Sequence, residues 1–219
     1  MAQYFSIHPT HPQVRLIRQA AQIVRQGGLI AYPTDSCYAL GCPIGDARAL
    51  DRLRSVRGVD EKHHLTLMCR DLSEIATYAI VDNVRYRLLK SATPGSYTFI
   101  LRATRELPRR LLHPRRKTIG VRVPAHAVAH ALLAELNEPM LSATLALPGG
   151  RAPLSDAQEI RERLEHAVDL VIDAGPCGVE PTTVIDLTAD VPLVLRLGRG
   201  ALAHLGLSLE PSEDAAVAR

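Results

Sequence analysis

The sequence predicts a mixed α/β (α+β) fold, a twisted mixed β-sheet with flanking helices. Three observations carry this expectation. Amphipathic segments with helical spacing alternate with short apolar runs of strand length. The last two runs, "TTVIDLT" and "PLVLRLG", are separated only by "ADV", a link that suits an antiparallel hairpin and not a parallel crossover. Gly27-Gly28, Pro94-Gly95 and Pro148-Gly149 punctuate the boundaries.

In chain order, Val14, Leu16, Ile17, Ala20, Ala21, Ile23 and Val24 follow helical spacing, and Gly27-Gly28 closes that helix. A strand over residues 29–32 then runs into Pro33-Thr34-Asp35-Ser36. Three small hydroxyl or carboxylate groups at a strand end make either a connecting turn or one wall of a site. Asp46 stands at an N-cap position before Ala47, Leu50, Leu53 and Val56. "LTLMC" reads as a buried strand, and Asp82 caps a helix carrying Val84, Leu88 and Leu89. "SYTFILRA" and "KTIGVRVP" are strands joined by a basic loop. A helix over 128–136 follows, then the strand-like "PMLSATLAL". Ser155-x-x-Gln158 resembles a capping box opening a helix to about residue 164. "VDLVIDAG" and the final hairpin complete the strands. One domain is expected over 1–206, with a polar, disordered tail over 207–219.

The core is aliphatic: there is no Trp and there are two Phe in 219 residues. A base-stacking surface is therefore poorly supplied. The cysteines, Cys37, Cys42, Cys69 and Cys177, form no C-x-x-C pair, and no zinc spacing is completed. They read as reduced thiols of a cytoplasmic protein, and neither a zinc nor a thiol enzyme is expected. No signal peptide or membrane-length apolar run is visible. There is no internal repeat, no G-x-G-x-x-G and no P-loop motif, so any nucleotide phosphates are held in another way. A net charge of +3 hides an uneven distribution. Residues 102–117 hold seven basic side chains against one acid, Glu106. That charge fits an anionic partner such as a nucleotide or RNA, and a solvated arginine-rich loop equally well.

Several strands share one vocabulary. Thr118 and Arg122 lie on one face of "KTIGVRVP", and Ser142 and Thr144 on one face of "LSAT". Thr98, Thr182, Thr183 and Arg196 stand at or near other strand ends. Hydroxyls and arginines on a shared face make a polar floor for carboxylate or phosphate, although threonine is also simply a good strand residue.

"YPTDSCYALGC" resembles the "PTDT-x-YGLG" signature of the YrdC/YciO family, the threonylcarbamoyl-AMP synthases and their relatives. The likeness continues in family order through "PGSYTFIL", "GVRVP", "PMLSAT", "PTTVIDLT" and "LRLG", over roughly residues 5–205. "FSIHPTHPQ", "LTLMCRDLSEIATY", "VDN" and "PRRLL" are most like the YciO branch. The resemblance implies a YrdC-like sheet around a deep, positively charged cavity. It implies binding of L-threonine, bicarbonate and ATP, with Mg²⁺ accompanying the nucleotide. Synthesis of threonylcarbamoyl-AMP releases pyrophosphate, and the product serves threonylcarbamoyladenosine (t6A) formation in tRNA.

By the same resemblance, Thr34, Arg122, Ser142 and Thr182 match threonine-holding positions. Arg57, Thr118, Thr144 and Arg196 match positions around ATP, with Arg57 also the candidate catalytic residue. Tyr38 and Thr98 match cavity walls. Arg109, Arg110, Arg115, Arg116 and Lys117 are candidates for tRNA or double-stranded RNA, or for a lid over the nucleotide. The expected assembly is a monomer or weak dimer.

Synthases carry Lys-x-Arg-Pro where this chain has Ser55, Arg57 and Gly58, and Ser-x-Asn where it has Thr144 and Ala146. Arg54, beside Ser55, is a candidate replacement for the missing cation, with different geometry. Loss of one contact to a developing charge costs about a hundredfold in rate. Two functions therefore stay open: a synthase or paralogue with altered or weak nucleotidyl transfer, and an RNA-binding module that has lost the reaction. His63-His64, beside the altered motif, reads first as a solvated turn and second as a contributor to the site.

Overall fold

The computed structural model describes residues 1–60, 63, 65–108, 111 and 117–207. The strands are β1 (Gln3–Ser6), β2 (Ile30–Tyr32), β3 (Ala39–Pro43), β4 (Thr66–Met68), β5 (Tyr97–Arg102), β6 (Thr118–Arg122), β7 (Met140–Thr144), β8 (Leu170–Asp173), β9 (Thr183–Asp186) and β10 (Leu193–Arg196). The helices are α1 (Val14–Arg25), α2 (Ala47–Arg57), α3 (Leu72–Tyr78), α4 (Asn83–Ala92), α5 (Ala127–Leu136) and α6 (Ala157–Leu164). The strands form one mixed sheet, ordered β1-β8-β2-β3-β7-β4-β6-β5-β9-β10.

Local chemistry sets the boundaries. Gly27, at φ 87°, ends α1; its N–H reaches the Val24 carbonyl while that of Gly28 reaches Ile23. This is the paired closure that a left-handed residue after a helix permits. Asp46, Asp71 and Asp82 cap α2, α3 and α4 by accepting from backbone N–H groups three residues on. The cap of α6 is Asp156, which accepts from Glu159 N at 2.8 Å, and not the expected Ser155. The Ser155 carbonyl instead accepts from Cys177 N. The final hairpin is antiparallel, β9 on β10, as its short link requires.

Both faces of the sheet are covered, but unequally. One face carries Leu40, Leu67, Val121, Phe99 and Val171 beneath apolar residues of α2, α3, α4 and α6. The other carries Ile30, Tyr32, Met68, Met140 and Leu170 beneath α1 and α5. The helices α1 and α5 pack on each other over the β1-to-β7 end of the sheet. They leave the same face of β6, β5 and β9 to another use. All four cysteines are free, and three are buried.

Candidate active site

That uncovered face is the floor of a cavity of about 670 Å³, within the range of small-molecule sites. Its middle is one row of the sheet: Ser142 of β7 opposes Thr66 of β4, and Thr66 opposes Gly120 of β6. Gly120 then opposes Ile100 of β5. A Cβ on Gly120 would stand 3.1 Å from the Leu65 carbonyl oxygen and 3.3 Å from a Thr98 methyl. The glycine keeps this stretch of floor low.

The segment after β2 forms one wall. Thr34 Oγ1 donates to the Cys37 carbonyl at 2.6 Å and accepts from the N–H groups of Ser36 and Cys37. This self-contained turn sets Thr34 and Ser36 facing the cavity, with Asp35 turned behind them. Asp35 accepts from Arg122 at 2.6 Å, Ser96 Oγ at 2.5 Å and Ala125 N at 3.1 Å. Burial works to raise the Asp35 pKa, but Arg122 and the Ser96 hydroxyl outweigh it and hold the carboxyl below its usual value. Arg122 keeps its Nε buried without a partner, so its fork is oriented and still has hydrogen-bonding capacity.

Two more arginines enter from distant elements. Arg196, on β10, donates to the Thr182 carbonyl through Nε and Nη2. Thr182 Oγ1 in turn meets Thr98 Oγ1 at 2.9 Å. Arg57, at the end of α2, donates to the Ala146 carbonyl, and its Nε is buried and unpartnered. Burial lowers the pKa of both guanidiniums below the ordinary arginine value. His63 lines the mouth. Its ring remains exposed to solvent, yet burial on the cavity side, then Arg57, lower its pKa.

Nine of the expected site residues therefore line one cavity: Thr34, Tyr38, Arg57, Thr98, Arg122, Ser142, Thr144, Thr182 and Arg196. Thr118, expected near ATP, does not line it. It lies two residues before Gly120 on the same face, but its hydroxyl is buried at the start of β6 and unpartnered. Ser55 is exposed on α2 and outside the lining. Arg54 does not replace the missing cation: it stands 3.9 Å from Asp51 and also lies outside the lining. Arg109, Arg110, Arg115 and Arg116 lie outside the described residues, while Lys117 is exposed at φ 52°. Ser36, expected with Thr34 in the wall, also lines the cavity, and the lining adds Cys37, Thr66, Gly120, Arg151 and Leu195, which the strand-end vocabulary did not pick out. A glycine inside the "KTIGVRVP" strand was the available signal for Gly120.

A family model described as "Telomere recombination", spanning the Sua5, YciO and YrdC proteins, matches residues 22–198. The chain belongs to this family. It is 58% identical over 200 residues to YciO of Escherichia coli (strain K12), covering 91% of this chain and 97% of that one. The E. coli YciO crystal structure superposes with a TM-score of 0.90, at 57% identity, over 94% of this chain and 100% of that chain. More distant is the threonylcarbamoyl-AMP synthase of Halorhodospira halophila (strain DSM 244 / SL1), at 33% identity over 78% of this chain and 89% of the relative. The crystal structure of P. abyssi Sua5 complexed with L-threonine has a TM-score of 0.82 at 27% identity. That match covers 89% of this chain and 57% of the longer Sua5 chain. No helix among the described residues is long and apolar enough to cross a membrane.

Proposed function

We propose that this family member binds L-threonine and ATP in the cavity and joins threonine, bicarbonate and the adenylyl group of ATP into threonylcarbamoyl-AMP. The observation that carries the reading is the convergence of Arg57, Arg122 and Arg196, from α2, β6 and β10, on one hydroxyl-lined floor. A guanidinium fork suits the threonine carboxylate, which places Arg122 with Thr34, Ser142 and Thr182 around the amino acid. Arg57, Thr144 and Arg196 are left for the phosphates. A carbamate oxygen attacks the α-phosphorus, the bond to the bridging oxygen breaks, and pyrophosphate leaves. The carbamate is already an anion, so no general base is needed at that step. Fixed cations and hydroxyls stabilise charge spreading over the phosphate oxygens.

Among the described residues the lining holds no carboxylate for a divalent ion. Among the described residues no group of three or more His, Cys, Asp or Glu side chains could hold a metal. Any Mg²⁺ therefore enters as part of the nucleotide, and no step is assigned to it. With Ser55 exposed and Ala146 lacking a polar side chain, the rate is expected to fall at least about a hundredfold below that of a family member with both contacts. The product serves t6A formation in tRNA.

The reading is tested by incubating the protein with ATP and bicarbonate, with and without threonine. Threonine-dependent pyrophosphate is expected. None at any pH sinks the enzymatic reading and leaves a tRNA- or double-stranded-RNA-binding module that uses the basic residues 102–117. Arg122→Ala is expected to weaken threonine binding by about 10- to 100-fold, and ATP binding less. Equal losses for both ligands in calorimetry contradict the assignment of Arg122 to the carboxylate.

A further inference from the structure

Among the described residues the lining carries Arg57, Arg122, Arg151 and Arg196 and no aspartate or glutamate. Asp35 pairs with Arg122 from behind and stays out of the lining, as does Asp60, whose charge acts on His63. The other titratable lining groups are Cys37, Tyr38 and His63. None supplies a negative charge at neutral pH. Burial raises the Cys37 thiol and the Tyr38 phenol, and the His63 imidazole titrates low. Behind the walls, Arg199 adds positive charge near Cys37, and His126 neighbours both Asp35 and Arg122. Among the described lining residues a bound ammonium would meet like charge on several sides and no carboxylate, which disfavours its protonated form.

What the cavity does offer an amine is a neutral acceptor, Ser142. Its Oγ lies 3.0 Å from the Leu40 carbonyl oxygen and 2.8 Å from the hydroxyl of fully buried Tyr32. The Leu40 carbonyl can only accept, so the single Ser142 proton goes to it. Among the described residues Ser142 is the hydrogen-bond partner of the Tyr32 hydroxyl, and a buried hydroxyl without an acceptor is costly, so its O–H donates to Ser142. The proton and one lone pair of Ser142 are thus committed. The remaining lone pair is available to a ligand N–H and has nothing to give to a carboxylate or phosphate.

We propose that the cavity takes its amino acid as the neutral amine, with one N–H received by Ser142 Oγ, which Tyr32 holds as an acceptor. This rests on the amino-acid reading above and states which form of the ligand is bound. The incoming ammonium releases one proton to solvent. The nitrogen then keeps its lone pair, the state an amine needs before it can bond to carbon. Tyr32 touches no ligand and is a positioning residue.

The test is calorimetry of L-threonine binding to the whole protein across pH 6.5–9, in buffers of different ionisation enthalpy. Release of about one proton per threonine at neutral pH is expected, with affinity rising about tenfold per pH unit below the ligand's own ammonium pKa. His63→Gln should retain the release, which assigns the proton to the ligand. Ser142→Ala should weaken threonine about tenfold and leave its deaminated analogue, 3-hydroxybutyrate, unchanged. Tyr32→Phe should show the same selective loss at smaller size; a merely structural role would weaken both ligands together. Threonine bound without proton release overturns the inference and leaves the amino-acid site standing. No threonine binding at any pH overturns both.

Discussion

A single transverse row of the sheet passes through two environments. It runs Ile30, Gly41, Ser142, Thr66, Gly120, Ile100 across six strands. At the β2 end Ile30 is fully buried under α1 and α5. A Cβ at Gly41 would press into Met140 and Tyr32 side chains at 2.7 and 2.8 Å. From Ser142 through Thr66 to Gly120 the same row is hydroxyl and bare backbone beneath the cavity, before Ile100 closes it. The next row repeats the change, from Met140 through Met68 to Arg122. The strand geometry is common to both ends. What differs is helical cover, and side-chain chemistry changes where α5 stops covering the sheet.

The comparison is broken most severely at its charged margin. Asp35→Ala leaves the Arg122 guanidinium without its counter-ion and is expected to cost about 3–5 kcal/mol of stability. In the parent protein the depressed Asp35 pKa contributes stability that is present above about pH 4, the value in an unfolded chain, and is lost as pH falls through the folded value. Denaturant titrations between pH 2 and 6 should show a shallower acid limb in the variant; an unchanged limb refutes this role. Under the helical cover, Leu133→Ala is expected to cost about 2–5 kcal/mol. Protein that still folds should bind threonine as before, because Leu133 belongs to the dry cluster alone. Gly120→Ala should do the opposite, with a stability change of about 1 kcal/mol and a clear loss of ligand affinity. If both variants change stability and binding in the same proportion, the two ends of the row are not independent. The smallest effect separates two adjacent residues: Asp156→Ala should cost about 1 kcal/mol, and Ser155→Ala less than about 0.5.

Much of the wall was legible because its chemistry sits at strand ends, where Thr34, Thr182 and Arg196 break an apolar run. The floor was less so. Thr66 lies inside "LTLMC", and only its register against Ser142 and Gly120 shows that it faces the cavity. β3 follows so closely on the turn at 34–36 that its five buried residues gave no alternating signal. β1 and α3, of four and seven residues, are too short for periodicity to stand out. Ser155 and Asp156 are both good caps, and the choice between them is made by backbone geometry. Arg54 and Arg57 are equally cationic on paper. Arg57 stands about one turn nearer the end of α2, where it reaches the Ala146 carbonyl and the lining, while Arg54 stays beside Asp51.

The contact between Thr98 and Thr182 closes the cavity across a sequence separation of 84 residues, beside the parallel pairing of β5 with β9. Arg196 enters still later in the chain. During synthesis at about 5–20 residues per second, roughly 10–30 s separate the emergence of Thr34 from that of Arg196. For most of that interval the Thr34 segment lacks both its β8 neighbour, made late, and the far side of the cavity. A complete set of lining residues therefore exists only once the chain through Arg196 has been made, and bound ligand reports that both ends of the chain have joined the sheet.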